Sequence, residues 1–129
     1  MSTLNVANIS DGTDTVGTGY VVNGSAKAWV NFNGTGTTVI RDSFNITDIF
    51  DITTGQTRAS FTNNMSDDAE FAMTCTASNS GGGSAFAIYA PNITAKSESS
   101  TGTIFTGLVS TGAAVDDAHV SVLINGDLA

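Results

Sequence analysis

The sequence predicts an all-β protein, an antiparallel β-sandwich with a jelly-roll-like arrangement of strands, and three observations carry that reading. The first is a period of two in hydrophobicity. Residues 69 to 77 place Phe71, Met73, Cys75 and Ala77 on one face and Glu70, Ala72, Thr74 and Thr76 on the other, and residues 118 to 125 set Val120, Val122 and Ile124 against His119, Ser121 and Leu123. Side chains alternate across a strand, so one apolar and one hydroxylated face mark a half-buried antiparallel strand. The second is the spacing of turn signals, roughly every ten residues along the chain. The third is that no segment carries a helical period, which leaves sheet packed on sheet as the way to build a core.

The elements follow in order. Leu4 to Ile9 is the first strand candidate, ended by the turn-formers Ser10-Asp11-Gly12-Thr13-Asp14 and by Gly17-Thr18-Gly19. A stretch with so many glycines and so few apolar anchors cannot bury enough area by itself to stay ordered, so it is expected to dock against something. Residues 1–19 are read as an attachment arm and residues 20–129 as one β-sandwich domain. Tyr20 to Val22 is expected to be a strand, with Asn23-Gly24 as a tight hairpin turn into Ala26 to Phe32, because both residues tolerate positive φ. Asn33-Gly34-Thr35-Gly36 is a loop, and Thr38 to Ile49 reads as short extended pieces around Arg41-Asp42. Thr53-Thr54-Gly55-Gln56 turns the chain back through Arg58 to Thr62. Asn63 to Asp68 is a loop before the Phe71 strand, and Gly81-Gly82-Gly83 marks a flexible connection. Strands at Ala85 to Ala90, Gly102 to Val109 and Ala118 to Asn125 complete the set, with Pro91 at a strand end, where a missing N–H costs least.

At 129 residues the chain has the length of a single domain with one core, able to fold without metal or disulfide support. Four Lys and Arg stand against 12 Asp and Glu, a net charge of −8 that disfavours nucleic acid and anionic membranes as partners. Only 12% of the residues are charged, and Thr, Ser, Asn and Gly take their place, as suits a protein outside a cell or packed in a large assembly. Cys75 is the only cysteine, which excludes an intrachain disulfide; on the apolar face it reads as a small hydrophobe. The start of the chain has neither a basic n-region nor an apolar h-region, and no window approaches a membrane span, so synthesis in a cytoplasm without classical export is expected.

General acid–base work needs titratable groups brought together, and the inventory for it is thin. His119 is the only histidine. Asp116-Asp117-Ala118-His119 could ligate a metal at a strand edge, but one His with two carboxylates is much less specific than paired His or Cys ligands. Asp48, Asp51, Asp67 and Asp68 could suggest calcium, yet their spacing fits no known loop, and Asp in turns ordinarily bonds local backbone. Neither a nucleophile motif nor a phosphate loop is present. The expectation is a non-enzymatic protein with no catalytic residues, no metal and no cofactor. Sequons at Asn8, Asn33, Asn45, Asn64 and Asn92 arise by chance in a chain this rich in Asn, Ser and Thr. Trp29 carries more information. It alternates onto the face of Lys27 and Asn31, opposite Ala28, Val30 and Phe32. A large aromatic there covers a second core layer, is buried by a partner subunit, or rejoins the main core after a local bulge.

The segment Lys27-Ala28-Trp29-Val30-Asn31-Phe32-Asn33-Gly34-Thr35-Gly36-Thr37, followed by Ile40-Arg41-Asp42-Ser43-Phe44-Asn45-Ile46, resembles the K-A-W-V-N-F-N-G-T-G-T…I-R-x-S-F-N-V signature of a domain found in virion appendage proteins of tailed phages, especially marine ones. Ser60 to Met65 stands where that family has N-F-T-x-x-M, and Val120 to Asp127 is similar to its V-N-V-x-V-F-G-D ending. Ser2 to Ile9 is like its S-T-L-K-V-x-x-I start, and Asp68 to Thr76 resembles its D-x-x-Y strand, with Phe71 in place of the usual Tyr. The Ile124-Asn125 pair and the triple-glycine loop depart from the pattern.

The resemblance implies a structural or receptor-facing β-domain in the virion, generally a homotrimer, without catalysis. Because Trp29 stands so near the start, the chain resembles the terminal domain alone with a short docking arm. That favours a capsid decoration protein or short head appendage over a tail-fibre or tail-tip receptor-binding domain. A carbohydrate-binding module, with Trp29 or Tyr89 stacking on a sugar, is the reading from another class. The partners implied are other virion proteins of the capsid or tail and further copies of the chain, with a host-surface glycan or receptor also open. Leu4, Val6 and Ile9 are the expected attachment residues and Trp29 the expected subunit contact.

Overall fold

The computed structural model describes residues 2–66, 71–78, 85–89, 101–108 and 111–128. Two four-stranded antiparallel sheets form the sandwich. One has the order β4-β3-β10-β7, from β3 (Ala28–Asn33), β4 (Val39–Phe44), β7 (Ala72–Ala77) and β10 (Val120–Asn125). The other has the order β5-β6-β9-β8, from β5 (Ile46–Thr53), β6 (Gln56–Phe61), β8 (Ala85–Tyr89) and β9 (Thr101–Leu108). The first and last sandwich strands, β3 and β10, are neighbours (Val30 opposite Val122), and the chain changes sheet between β4 and β5, β6 and β7, β7 and β8, and β9 and β10.

Alternation decides which face is buried. In β3 Ala28, Val30 and Phe32 are almost wholly buried, and in β10 so are Val120, Val122 and Ile124. In β7, Met73, Cys75 and Ala77 lie opposite Ile124, Val122 and Val120 and pack partly buried against the same core. Ile46, Ile49, Ala59, Phe61 and Ile104 close it from the other sheet, with Phe71 just ahead of β7 meeting Phe61 edge to face at 5.9 Å between ring centres. The core expected from the two alternating segments is therefore one cluster. Met65, expected to lie in a loop, is also part of it; it bridges to Leu128 and is almost fully buried.

Three local devices give the strands their paths. Arg41 is an extra residue in β4, because Asn31 faces Asp42 while Phe32 faces Ile40. The bulge sends its guanidinium across to the carbonyls of Phe32 (2.9 Å) and Ala118. At Asn45 the chain leaves one sheet for the other with φ at +57°, a conformation that Asn tolerates better than most residues. Its side chain holds the corner: Oδ1 accepts from Asn63 N (2.7 Å), and Nδ2 donates to Asn63 O (3.0 Å). At the β5–β6 turn Gly55 has φ +72°, and a Cβ there would lie 2.6 Å from Thr106 O. Only glycine fits that contact.

The amino-terminal stretch departs from expectation in two places. The first strand is not Leu4 to Ile9: β1 (Asn8–Ser10) pairs with β2 (Thr15–Gly17) in a local hairpin, Ile9 opposite Val16. The Ser10 to Asp14 turn-formers close it, with Asp11 Oδ1 accepting from the backbone N–H of Asp14 and Thr13. Tyr20 to Val22 is not a strand either; it lies in α1 (Thr18–Gly24), a helix of about two turns. Asn23-Gly24 are the last two residues of this helix instead of a hairpin turn: neither takes positive φ, and the cap is Ser25 in extended conformation. Ser25 N closes the last turn on Val21 O at 3.1 Å. Among the described residues no strand of this region pairs with either sandwich sheet, and the first sandwich strand begins at Ala28. Among the described residues no helix is long and apolar enough to cross a membrane.

Candidate functional site: an apolar ladder on the outer face of the Trp29 sheet

The face of the β4-β3-β10-β7 sheet turned away from the core is built by the residues that alternate with the core positions. Register places Phe44, Trp29, Leu123 and Thr74 in one cross-strand row, and Asp42, Asn31, Ser121 and Thr76 in the next. Paired residues share a face, so the first row is an apolar ladder across three strands ending on a threonine. Phe44 is 53% exposed and Leu123 44%, and Trp29 between them is half-buried. A trough of about 280 Å³ lies along this face, lined by Trp29, Asn31, Thr74, Thr76, Ser121 and Leu123 among others.

Trp29 therefore does not rejoin the main core. The bulge falls beyond it, at Arg41, and leaves the burial alternation of β3 intact. One hydrogen bond crosses the polar part of the trough, Asn31 Nδ2 donating to Ser121 Oγ at 2.7 Å, with the Thr74 and Thr76 hydroxyls on the neighbouring strand. The row of Phe44, Trp29 and Leu123 beside it is an apolar surface that gains by being covered. Phe44 and Leu123 were not singled out from the sequence as surface residues. The available signal was Leu123, an apolar residue on the hydroxylated side of its strand.

The residues that could have carried chemistry have structural employment. Asp117 is buried, and its Oδ1 accepts from Ser78 Oγ (2.8 Å) and from His119 N (3.0 Å). Its backbone carbonyl accepts from Gly34 N at 2.8 Å, so this one residue ties the β3–β4 turn, the end of β7 and the approach to β10 together. Asp116 Oδ1 accepts from Gly55 N at 2.7 Å. His119 is exposed, with its backbone rather than its ring engaged: His119 O accepts from Ser78 N. Asp48 Oδ1 accepts from the neighbouring Ile49 N, as expected of an aspartate serving local backbone. Among the described residues no three His, Cys, Asp or Glu side chains cluster to hold a metal ion. Burial pushes the Cys75 thiol up to about 11, which keeps it protonated and unreactive at neutral pH. Asp67, Asp68, Glu70, Gly81 to Gly83, Pro91 and Asn92 lie outside the described residues, as does the side chain of Tyr89.

The glycine-rich part of the sequence signature also has a local account. Asn33 Oδ1 accepts from Thr35 N (3.1 Å) and Thr35 Oγ1 (2.8 Å), Gly34 packs against the Asp117 backbone, and Gly36 takes φ +66°. Asn-Gly-Thr-Gly is a turn held on the 115–119 loop through Gly34 N and Asp117 O. Compared with known proteins, the chain matches no family model, no curated protein and no solved structure.

The second exposed apolar surface is the amino-terminal stretch. Leu4 is 84% exposed, Val6 39% and Ile9 48%, and in α1 Tyr20 is 80% exposed. No residue of this stretch joins the sandwich core. Its ties to the sandwich end are polar: Asn125 Nδ2 donates to Gly24 O at 3.1 Å. Just beyond α1 the Lys27 ammonium folds back onto Val22 O, Ser25 O and Ser25 Oγ. The two apolar surfaces expected to matter are thus both exposed. They sit on different elements, and nothing in the fold brings Leu4, Val6 and Ile9 to Trp29.

Proposed function

We propose that this chain is a non-enzymatic structural protein of a phage particle, a capsid decoration protein or short head appendage displayed on the virion surface after synthesis in the host cytoplasm. The single observation that carries the reading is the amino-terminal stretch outside the sandwich, whose Leu4, Val6 and Ile9 side chains stay exposed among the described residues. An apolar segment of that kind is stable when another protein's sheet edge or pocket covers it. Leu4, Val6 and Ile9 are the attachment residues on this reading, and their partner is another virion protein. The resemblance of the Lys27 to Thr37 segment to virion appendage domains supplies the class of particle. The outer-face ladder around Trp29 supplies the contact between copies, arranged as a homotrimer by closed cyclic symmetry. The contiguous apolar row of Phe44, Trp29 and Leu123 favours such a protein contact, because covering apolar side chains is what a subunit interface gains from.

The test is composition of purified particles. Particles banded on a density gradient and stripped in stages should release this chain with the head fraction, in a fixed ratio to the major capsid protein. Recovery only with detached tails would move it to the tail tip, and absence from particles would overturn the reading.

A further inference from the structure

Asn-Gly occurs three times, at residues 23–24, 33–34 and 125–126, and the fold treats the three pairs differently. Glycine has no Cβ to shield its nitrogen, so an Asn-Gly backbone can reach the geometry in which that nitrogen attacks the preceding side chain. Two of the pairs are restrained against this. Gly34, itself buried, donates its N–H to Asp117 O at 2.8 Å, and the Asn33 amide oxygen is held by Thr35. Asn125 is the last residue of β10, paired with Ala72, and its Nδ2 donates to Gly24 O. Asn23 has neither restraint: it is exposed, and among the described residues its side chain has no hydrogen-bond partner. Asn23 is held only through the backbone of α1, whose end is tied by Lys27 Nζ on Val22 O and Asn125 Nδ2 on Gly24 O, and that helix is seven residues long with no buried residue. A helix so short and so little packed opens readily at its end.

We infer that Asn23–Gly24 is a site of spontaneous succinimide formation and conversion to aspartate and isoaspartate. On opening of α1, Gly24 N attacks Asn23 Cγ. The N–Cγ bond forms, the Cγ–Nδ2 bond breaks, and Nδ2 leaves as ammonia carrying the amide proton. Water then opens the cyclic imide at either carbonyl, giving aspartate or an isoaspartate with one more main-chain carbon. No electrons are transferred, and water is the only co-reactant. The product places a new carboxylate at the junction between the amino-terminal stretch and the sandwich, beside the Gly24 carbonyl that Asn125 holds.

The test is peptide mapping of the full native chain held at mildly alkaline pH, with isoaspartate detected by enzymatic methylation. Asn23 is expected to convert at least about tenfold faster than Asn33 and Asn125, the ratio expected when only its segment opens locally. In urea the three rates should converge. Gly24→Ala should slow the Asn23 reaction strongly without unfolding the chain, since a Cβ at Gly24 meets nothing within 4 Å. Equal native rates at the three sites, no native conversion at Asn23 while all three convert in urea, or an unchanged Asn23 rate in the Gly24→Ala chain would each overturn the inference.

Discussion

Replacing Asp117 by Ala should destabilise the sandwich more than any other change at a charged residue among those described. The carboxylate is 1% exposed and accepts two hydrogen bonds, from Ser78 Oγ and from His119 N. Hydrogen bonds to a charged group contribute roughly 1.5–3 kcal/mol each. Ser78 is half-buried and His119 exposed, so water can partly replace the lost partner. The lower end applies, and the expected loss is about 3 kcal/mol, a large fraction of a typical domain's stability. Trp29 is the only tryptophan, so its fluorescence reports unfolding without a label. With an ordinary urea m-value, the midpoint should fall by about 1 M or more. Ser78→Ala alone should cost less, and the double mutant should show positive coupling of about 1 kcal/mol, because both changes break one bond. Asp117→Asn, which keeps an acceptor in place, should recover part of the loss. A loss below about 1 kcal/mol in Asp117→Ala, or strict additivity with Ser78→Ala, would refute the claim that this carboxylate ties the end of β7 to the approach to β10.

Three further outcomes are expected. Gly55→Ala should lower the melting temperature and cost about 1–3 kcal/mol, because the residue must hold positive φ and its Cβ would press on Thr106 O and Val115 N; an unchanged melt would show that the turn relaxes freely. Trp29→Ser should cost about 2 kcal/mol or less, since the side chain is only half-buried, yet should shift sedimentation from trimer to monomer at micromolar concentration; a wild-type chain that sediments as a monomer would count against the Trp29 contact. Cys75 should resist alkylation at neutral pH and react fully in urea. Because burial raises its folded-state value from about 9.0 to about 11, the unfolded chain loses that proton first, and the thiol's contribution to stability should be lost as pH rises through that window, with Cys75→Ala flattening the decline.

The sandwich was legible in the sequence wherever one face of a strand had to be buried. Alternation at Phe71 to Ala77 and Val120 to Ile124 named residues of the single core, because a one-residue slip would expose the whole set. Alternation also put Trp29 on the face opposite Ala28, Val30 and Phe32. What alternation could not give was the row that Trp29 shares with Phe44 and Leu123. That depends on which strands are neighbours and on the bulge at Arg41, and neither is a local property of the chain. The amino-terminal stretch was the least legible part. Tyr20-Val21-Val22 and Asn23-Gly24 favour a strand and a hairpin by local preference, but among the described residues no strand pairs with the segment and it closes as a short helix. The Asp116 to His119 run offered metal chemistry on paper, and the fold turned its carboxylates to the backbone N–H groups of Gly55 and His119.

The most direct test of a virion role anchored by the amino-terminal stretch is incorporation of a shortened chain. Deleting residues 2–12 removes Leu4, Val6, Ile9 and β1 but none of the core residues, so the unfolding free energy of the remaining chain in urea should stay within about 1 kcal/mol of wild type. Supplied in place of the wild-type protein during infection, it should be found folded and free in the lysate and missing from gradient-purified particles. Full occupancy of the particles by the shortened chain, or its failure to fold at all, would contradict the account and place the attachment surface on the sandwich itself.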